Sequence, residues 1–173
     1  MSSNEKPLVN RVANSGIITL DLEQWYPSDE LVHFDIKDYL FQGLILKEKD
    51  FRTALKELDW SAYQDKILLV YCSADAIVPS WAYMLIASYA SKVAKDVVQA
   101  TSSEYLNLYY REHIAALDLE AYEDKRVVIK GCSKKDVPVG AYLELTKVLQ
   151  PRVKSLMFGE PCSTVPVYKK PKV

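Results

Sequence analysis

The three cysteines of the chain share one local pattern. Cys72-Ser73 is followed by Val78-Pro79, Cys132-Ser133 by Val137-Pro138, and Cys162-Ser163 by Val165-Pro166. A thiolate is both a nucleophile and a soft metal ligand. A thiol between a strand end and a helix N-terminus is biased toward the thiolate by the helix dipole. Three such thiolates on one edge would hold Zn²⁺ or an iron–sulfur centre. Asp75 and Asp136 lie at similar places in the first two loops and could complete the coordination, as could Glu160, His33 or solvent. Zn²⁺ is the simpler expectation because it needs no redox partner. The role would be metal handling rather than turnover.

Two other readings fit the same residues. A thiol-dependent enzyme needs a base beside its thiolate, and only His33 and His113 are available. His33 shares a strand face with Asp35, which could orient its ring. His113 sits mid-helix beside Glu112 and reads as a surface or half-buried residue. In the blandest reading each cysteine is a small hydrophobe closing a strand. Asp75 and Asp136 then cap the Val-Pro helices, and the chain is a structural or partner-binding homodimer with inert thiols. The sequence has no Cys-x-x-Cys knuckle, glycine-rich phosphate loop, His-Glu-x-x-His or Gly-x-Ser-x-Gly motif.

The elements that must position these residues follow from hydrophobic period. Ile17 to Trp25 and Leu31 to Ile36 alternate as strands. Lys47 to Leu58 places Phe51, Leu55 and Leu58 at helical spacing. Ile67 to Tyr71 is a short continuous apolar run, as expected of a strand buried on both faces. Pro79 to Ala94 reads as a helix with Pro79 at its first position. It is apolar nearly all round, which predicts burial on more than one side and suggests a homodimer interface. Val97 to Ala100 is a strand. Thr101 to Glu104 is a capping box for a helix reaching about Leu117. Arg126 to Lys130 is a strand, Pro138 to Gln150 a helix and Ser155 to Phe158 a strand. Gly159-Glu160-Pro161 reads as a turn before a closing strand, Val165 to Tyr168.

Much of this is said twice. Phe51-Arg52 and Tyr110-Arg111, Leu58-Asp59 and Leu117-Asp118, Ala62-Tyr63 and Ala121-Tyr122, and Asp65-Lys66 and Asp124-Lys125 all lie 59 residues apart. Cys72 and Cys132 are 60 apart, so one residue is inserted in the second strand, and Pro79 and Pro138 return to 59. The expected fold is α/β, with internally duplicated strand-helix-strand-helix units around a largely parallel sheet. An arm at 1–14 precedes a single domain at 15–173, with repeats at about 31–94 and 96–150 and a C-terminal strand extension.

Three stretches carry a resemblance: Asn10-Arg11-Val12-Ala13-Asn14-Ser15-Gly16-Ile17, Cys72 through Pro79, and Gly159-Glu160-Pro161-Cys162-Ser163-Thr164-Val165-Pro166. The chain resembles an uncharacterised family of Bacteroidetes proteins known as domain of unknown function 2480, over essentially its whole length. The resemblance implies no established activity. It does imply proximity to iron–sulfur assembly genes in some genomes, and hence iron–sulfur assembly proteins as partners.

Composition bounds the rest. The chain has 173 residues, a formal charge of −1 and about half apolar residues, which suits a globular domain and gives no reason to expect nucleic acid or a membrane as partner. An odd number of cysteines and a polar N-terminal stretch point to free thiols in the cytoplasm.

Overall fold

The computed structural model describes residues 16–131, 134–160 and 163–171. Its strands form two sheets where the sequence predicts one; they fall in two compact units. Residues 27–108 make one unit; residues 1–26 and 109–173 make the other. The mixed α/β class with mostly parallel strands holds in both.

The first β-strand, β1 (Ile17–Asp21), belongs to the discontinuous unit; the continuous unit begins with β2 (Leu31–Asp35). Helix α1 (Glu48–Glu57), strand β3 (Ile67–Tyr71), helix α2 (Ser80–Ala90) and strand β4 (Asp96–Gln99) complete the continuous unit. All its strands are parallel, in the order β2-β3-β4, so helical crossovers must join them. Strand β3 is central, and Ile67 to Val70 are all buried. Phe34, Leu68 and Val70 meet Phe51 and Leu55 of α1 and Ala82, Ile86 and Ala90 of α2. Aromatic rings finish this core: Trp60 stacks on Tyr89 at 5.5 Å, and Phe34 stacks on Tyr39 at 5.0 Å.

The discontinuous unit joins β1 to the second half of the chain. Helix α3 (Ser102–Ala115) crosses into it at Tyr109. Strand β5 (Arg126–Lys130), helix α4 (Val139–Leu149) and strands β6 (Ser155–Glu160) and β7 (Ser163–Lys169) follow. The sheet order is β1-β5-β6-β7, parallel except for the antiparallel edge strand β7. Pro166 is tolerated there because an edge strand can spare an N–H, and the register shifts at Leu156/Met157. Leu20, Val127, Ile129 and Leu156 pack with Tyr110, Ile114, Ala141, Leu145 and Leu149.

Local structure recurs at the 59-residue spacing. Asp65 and Asp124 both adopt positive φ, 59° and 53°. The Asp65 N–H donates to the Val93 carbonyl at 3.0 Å, and that of Asp124 to the Arg152 carbonyl at 2.9 Å. Asp59 and Asp118 each accept from the backbone N–H two residues on. Asp21 and Asp35 do the same after β1 and β2.

The Thr101 capping box forms as expected. Its N–H donates to Glu104 Oε2 at 2.7 Å, and the Glu104 N–H returns to Thr101 Oγ1 at 3.4 Å. Four expectations change. The first strand stops at Asp21, because that side chain caps a 3-10 turn at Leu22–Trp25. Gly159 and Glu160 continue β6 instead of turning. Pro79 and Pro138 are N-caps, just outside their helices. Helix α2 is also shorter than predicted and buries only the Ala82, Ile86 and Ala90 face, while Met84 is 71% exposed.

Candidate functional site

In open parallel sheets, ligands gather beyond the carboxyl ends of the strands. Each unit has such an edge, and the two are built differently.

In the continuous unit, Cys72 follows β3. It is half-buried against the core, and its thiol points to the Ala74 carbonyl at 3.6 Å. The edge is closed by Asp35 at the end of β2. Its carboxylate accepts from the Ser73 hydroxyl at 2.5 Å, the Ser73 N–H at 3.0 Å and the Lys37 N–H at 3.0 Å. Burial pushes this carboxyl up, but the hydrogen bonds from Ser73 and Lys37 outweigh it and hold it below the ordinary aspartate range. Asp35 therefore holds the loop rather than orienting His33. That ring is exposed, with Nε2 3.3 Å from Ser102 Oγ and its edge against Tyr71 at 5.8 Å. His113 is exposed too, packed on Trp25 at 4.9 Å.

In the discontinuous unit the corresponding edge is open. A cavity of about 140 Å³ is lined by Asp21 at the end of β1 and Glu23 beyond it, Lys130 at the end of β5 and Gly131 beyond it, and Phe158, Gly159 and Glu160 on β6. Lys130 Nζ bridges it, 3.4 Å from Asp21 Oδ2 and 3.4 Å from Glu160 Oε1. The negative charge of Asp21, then of Glu160, pushes the lysine above its ordinary range. Both glycines are required by space. Gly131 has φ +125°, and a Cβ there would meet the Glu23 nitrogen at 3.1 Å. Gly159 has φ +118°, and a Cβ would lie 2.7 Å from the Ser163 carbonyl oxygen. Glu23 Oε1 accepts from the Lys134 N–H at 2.8 Å and so holds the loop after β5.

The predicted metal site is overturned. Among the described residues no group of three or more His, Cys, Asp or Glu is placed to hold a metal. Cys72 and Asp75 belong to one unit and Asp136 to the other, because β3 and β5 sit in different sheets. Cys132 and Cys162 lie outside the described residues. Asp75 and Asp136 are exposed and cap neither helix: the N-caps are Pro79 and Pro138, with no side-chain cap bond.

Lys130, Asp21 and Glu23 did not emerge from the cysteine pattern. A signal for Asp21 alone exists in the local match of Leu20-Asp21-Leu22-Glu23-Gln24-Trp25 with Phe34-Asp35-Ile36-Lys37-Asp38-Tyr39. Each run puts an aspartate at a strand end and an aromatic four residues on.

A second feature of this unit is apolar. Ile129, Val139, Tyr142, Thr146, Met157, Phe158 and Val167 line a groove of about 380 Å³ between α4 and the sheet. Val139 is 82% exposed, Leu143 65% and Val165 62%.

No helix among the described residues is long and apolar enough to cross a membrane. No curated protein and no solved structure matches the chain. Residues 6–170 match the family model described as Protein of unknown function (DUF2480), and the chain belongs to that family.

Proposed function

We propose that the chain is a small-ligand-binding protein whose site is the charged cavity at the carboxyl edge of the discontinuous unit. One observation carries this: Lys130 lies between Asp21 and Glu160 at a cavity that Gly131 and Gly159 also line. A bridging ion pair beside an open cavity, at the strand ends where parallel sheets bind ligands, is arranged for recognition. Its contribution to stability is small because it faces solvent. The test is binding of small polar compounds followed by backbone amide shifts, with an Asp21→Asn variant alongside. The reading expects shifts at Gly131 and Gly159 that weaken in the variant. Shifts elsewhere, indifferent to Asp21, would contradict it.

The apolar groove supports a second reading, a homodimer. Val139 lines the groove and, with Leu143 on the same helix, is largely exposed, as a self-associating face requires. Leu143→Glu should convert a dimer to a monomer in sedimentation equilibrium; a wild-type monomer at high concentration would end this reading. A free Cys72 and an odd cysteine count suit a reducing compartment, the cytoplasm.

A further inference from the structure

The cavity presents three carboxylates, Asp21, Glu23 and Glu160, and one ammonium, Lys130. The lysine is the resident cation. Its 3.4 Å distances to both partners exceed the roughly 2.7–2.9 Å of a committed charge-assisted hydrogen bond, so it bridges rather than pairs. Its side chain is 31% exposed and ends a flexible four-carbon stem, so it can leave toward solvent. The carboxylates come from the ends of β1 and β6, on either side of β5, with their backbones held by strand pairing. Phe158 lines the same space, and an aromatic beside carboxylates is a favourable surround for a cation.

We infer that the ligand carries an organic cation, an ammonium or guanidinium, which takes the place between Asp21 and Glu160 that Lys130 Nζ holds in this structure. This rests on the cavity being a binding site, as proposed above. Lys130 is then a built-in competitor. Binding moves it to solvent, and the departing ammonium keeps the exchange close to neutral in charge. A planar guanidinium reaches two carboxylates at once, where a lysine bridges both loosely. The expected consequence runs against the usual effect of deleting a site residue: removing the lysine tightens binding.

The test is a titration of the full chain with methylguanidinium chloride, with ethylammonium, acetate and phosphate as parallel probes. The readout is the Gly131 and Gly159 amides. The variants are Lys130→Met and Glu160→Gln, each checked for an otherwise unchanged amide spectrum. The inference expects the cations to shift both glycines, about ten-fold tighter binding in Lys130→Met, and about ten-fold weaker binding in Glu160→Gln. Shifts by acetate or phosphate alone, lost in Lys130→Met, would leave the site standing and overturn the cation. Cation binding weakened by Lys130→Met would overturn the competitor role. No shift with any probe, in the wild type or either variant, would remove both the inference and the site beneath it.

Discussion

The two carboxyl edges begin alike and end differently. Each has a first strand closing on an aspartate, Asp21 or Asp35, that caps the following turn. In the continuous unit that aspartate takes Ser73 by both its hydroxyl and its N–H, and the edge is sealed. In the discontinuous unit the loop after β5 is held by Glu23 instead, and Asp21 faces Lys130 across a cavity. Position 37, opposite Glu23 in the matching run, is a lysine and cannot accept a hydrogen bond. At the constant 59-residue spacing, Gly131 stands opposite Cys72. The inserted residue is thus a glycine at φ +125°, where a Cβ would press on the backbone of Leu22 and Glu23. A shared motif therefore identifies a shared scaffold. The proposed site lies where the two edges differ.

The comparison can be broken most forcefully at the glycines. Gly159→Ala places a Cβ 2.7 Å from backbone at a φ that L residues rarely adopt. It should cost about 3 kcal/mol, from the range for strained backbone, in urea unfolding. An unchanged midpoint would mean that β6 and β7 give way easily. Gly131→Ala, 3.1 Å from the Glu23 nitrogen, should cost less and should remove ligand-induced shifts at the edge.

The cores offer a matched pair of smaller effect. Phe51 and Tyr110 lie 59 residues apart and are both buried, at 1% and 0% exposure. Only the tyrosine has a use for a hydroxyl: it donates to the Leu22 carbonyl at 2.8 Å. Burial, first, and its neighbouring tyrosines push this phenol well above the ordinary range, so it stays a donor. Tyr110→Phe should cost about 1–2 kcal/mol through the orphaned carbonyl, and Phe51→Tyr about 2 kcal/mol through a buried hydroxyl without a partner. Equal tolerance of both swaps in thermal melts would show the two cores to be interchangeable.

The smallest effect belongs to the sealed edge. Asp35 is lowered in the folded state, so its contribution is present above the unfolded aspartate value of about 3.9 and is lost as pH falls through the folded value. Ser73→Ala should destabilise by about 1 kcal/mol at pH 7, and by nearly nothing once the carboxyl is protonated. Urea unfolding followed from pH 7 down into the acid range where the folded carboxyl takes up its proton, below the unfolded value, checks both the size and the sign. A difference that survives after Asp35 is protonated would assign Ser73 a role independent of Asp35.

Much of the fold was legible in the sequence. The unbroken run Ile67 to Tyr71 could only be an interior strand, and Thr101 with Glu104 spelled its own helix start. What escaped was the partition into two sheets. Strand β1 pairs with β5, more than a hundred residues on, so its unit is discontinuous. A search at constant spacing finds contiguous copies and leaves β1 outside both. That error carried into the site. Cysteines expected on one edge follow strands of different sheets, while Asp21 and Lys130 meet through a pairing that no local pattern encodes.

The most direct measurement is a backbone amide perturbation map of the full chain against a panel of small polar compounds. The account predicts that the shifts cluster at Asp21, Glu23, Gly131 and Gly159 while Asp35 and Ser73 stay still. Shifts centred on Asp35 and Ser73, or on the exposed face of α4, would contradict it.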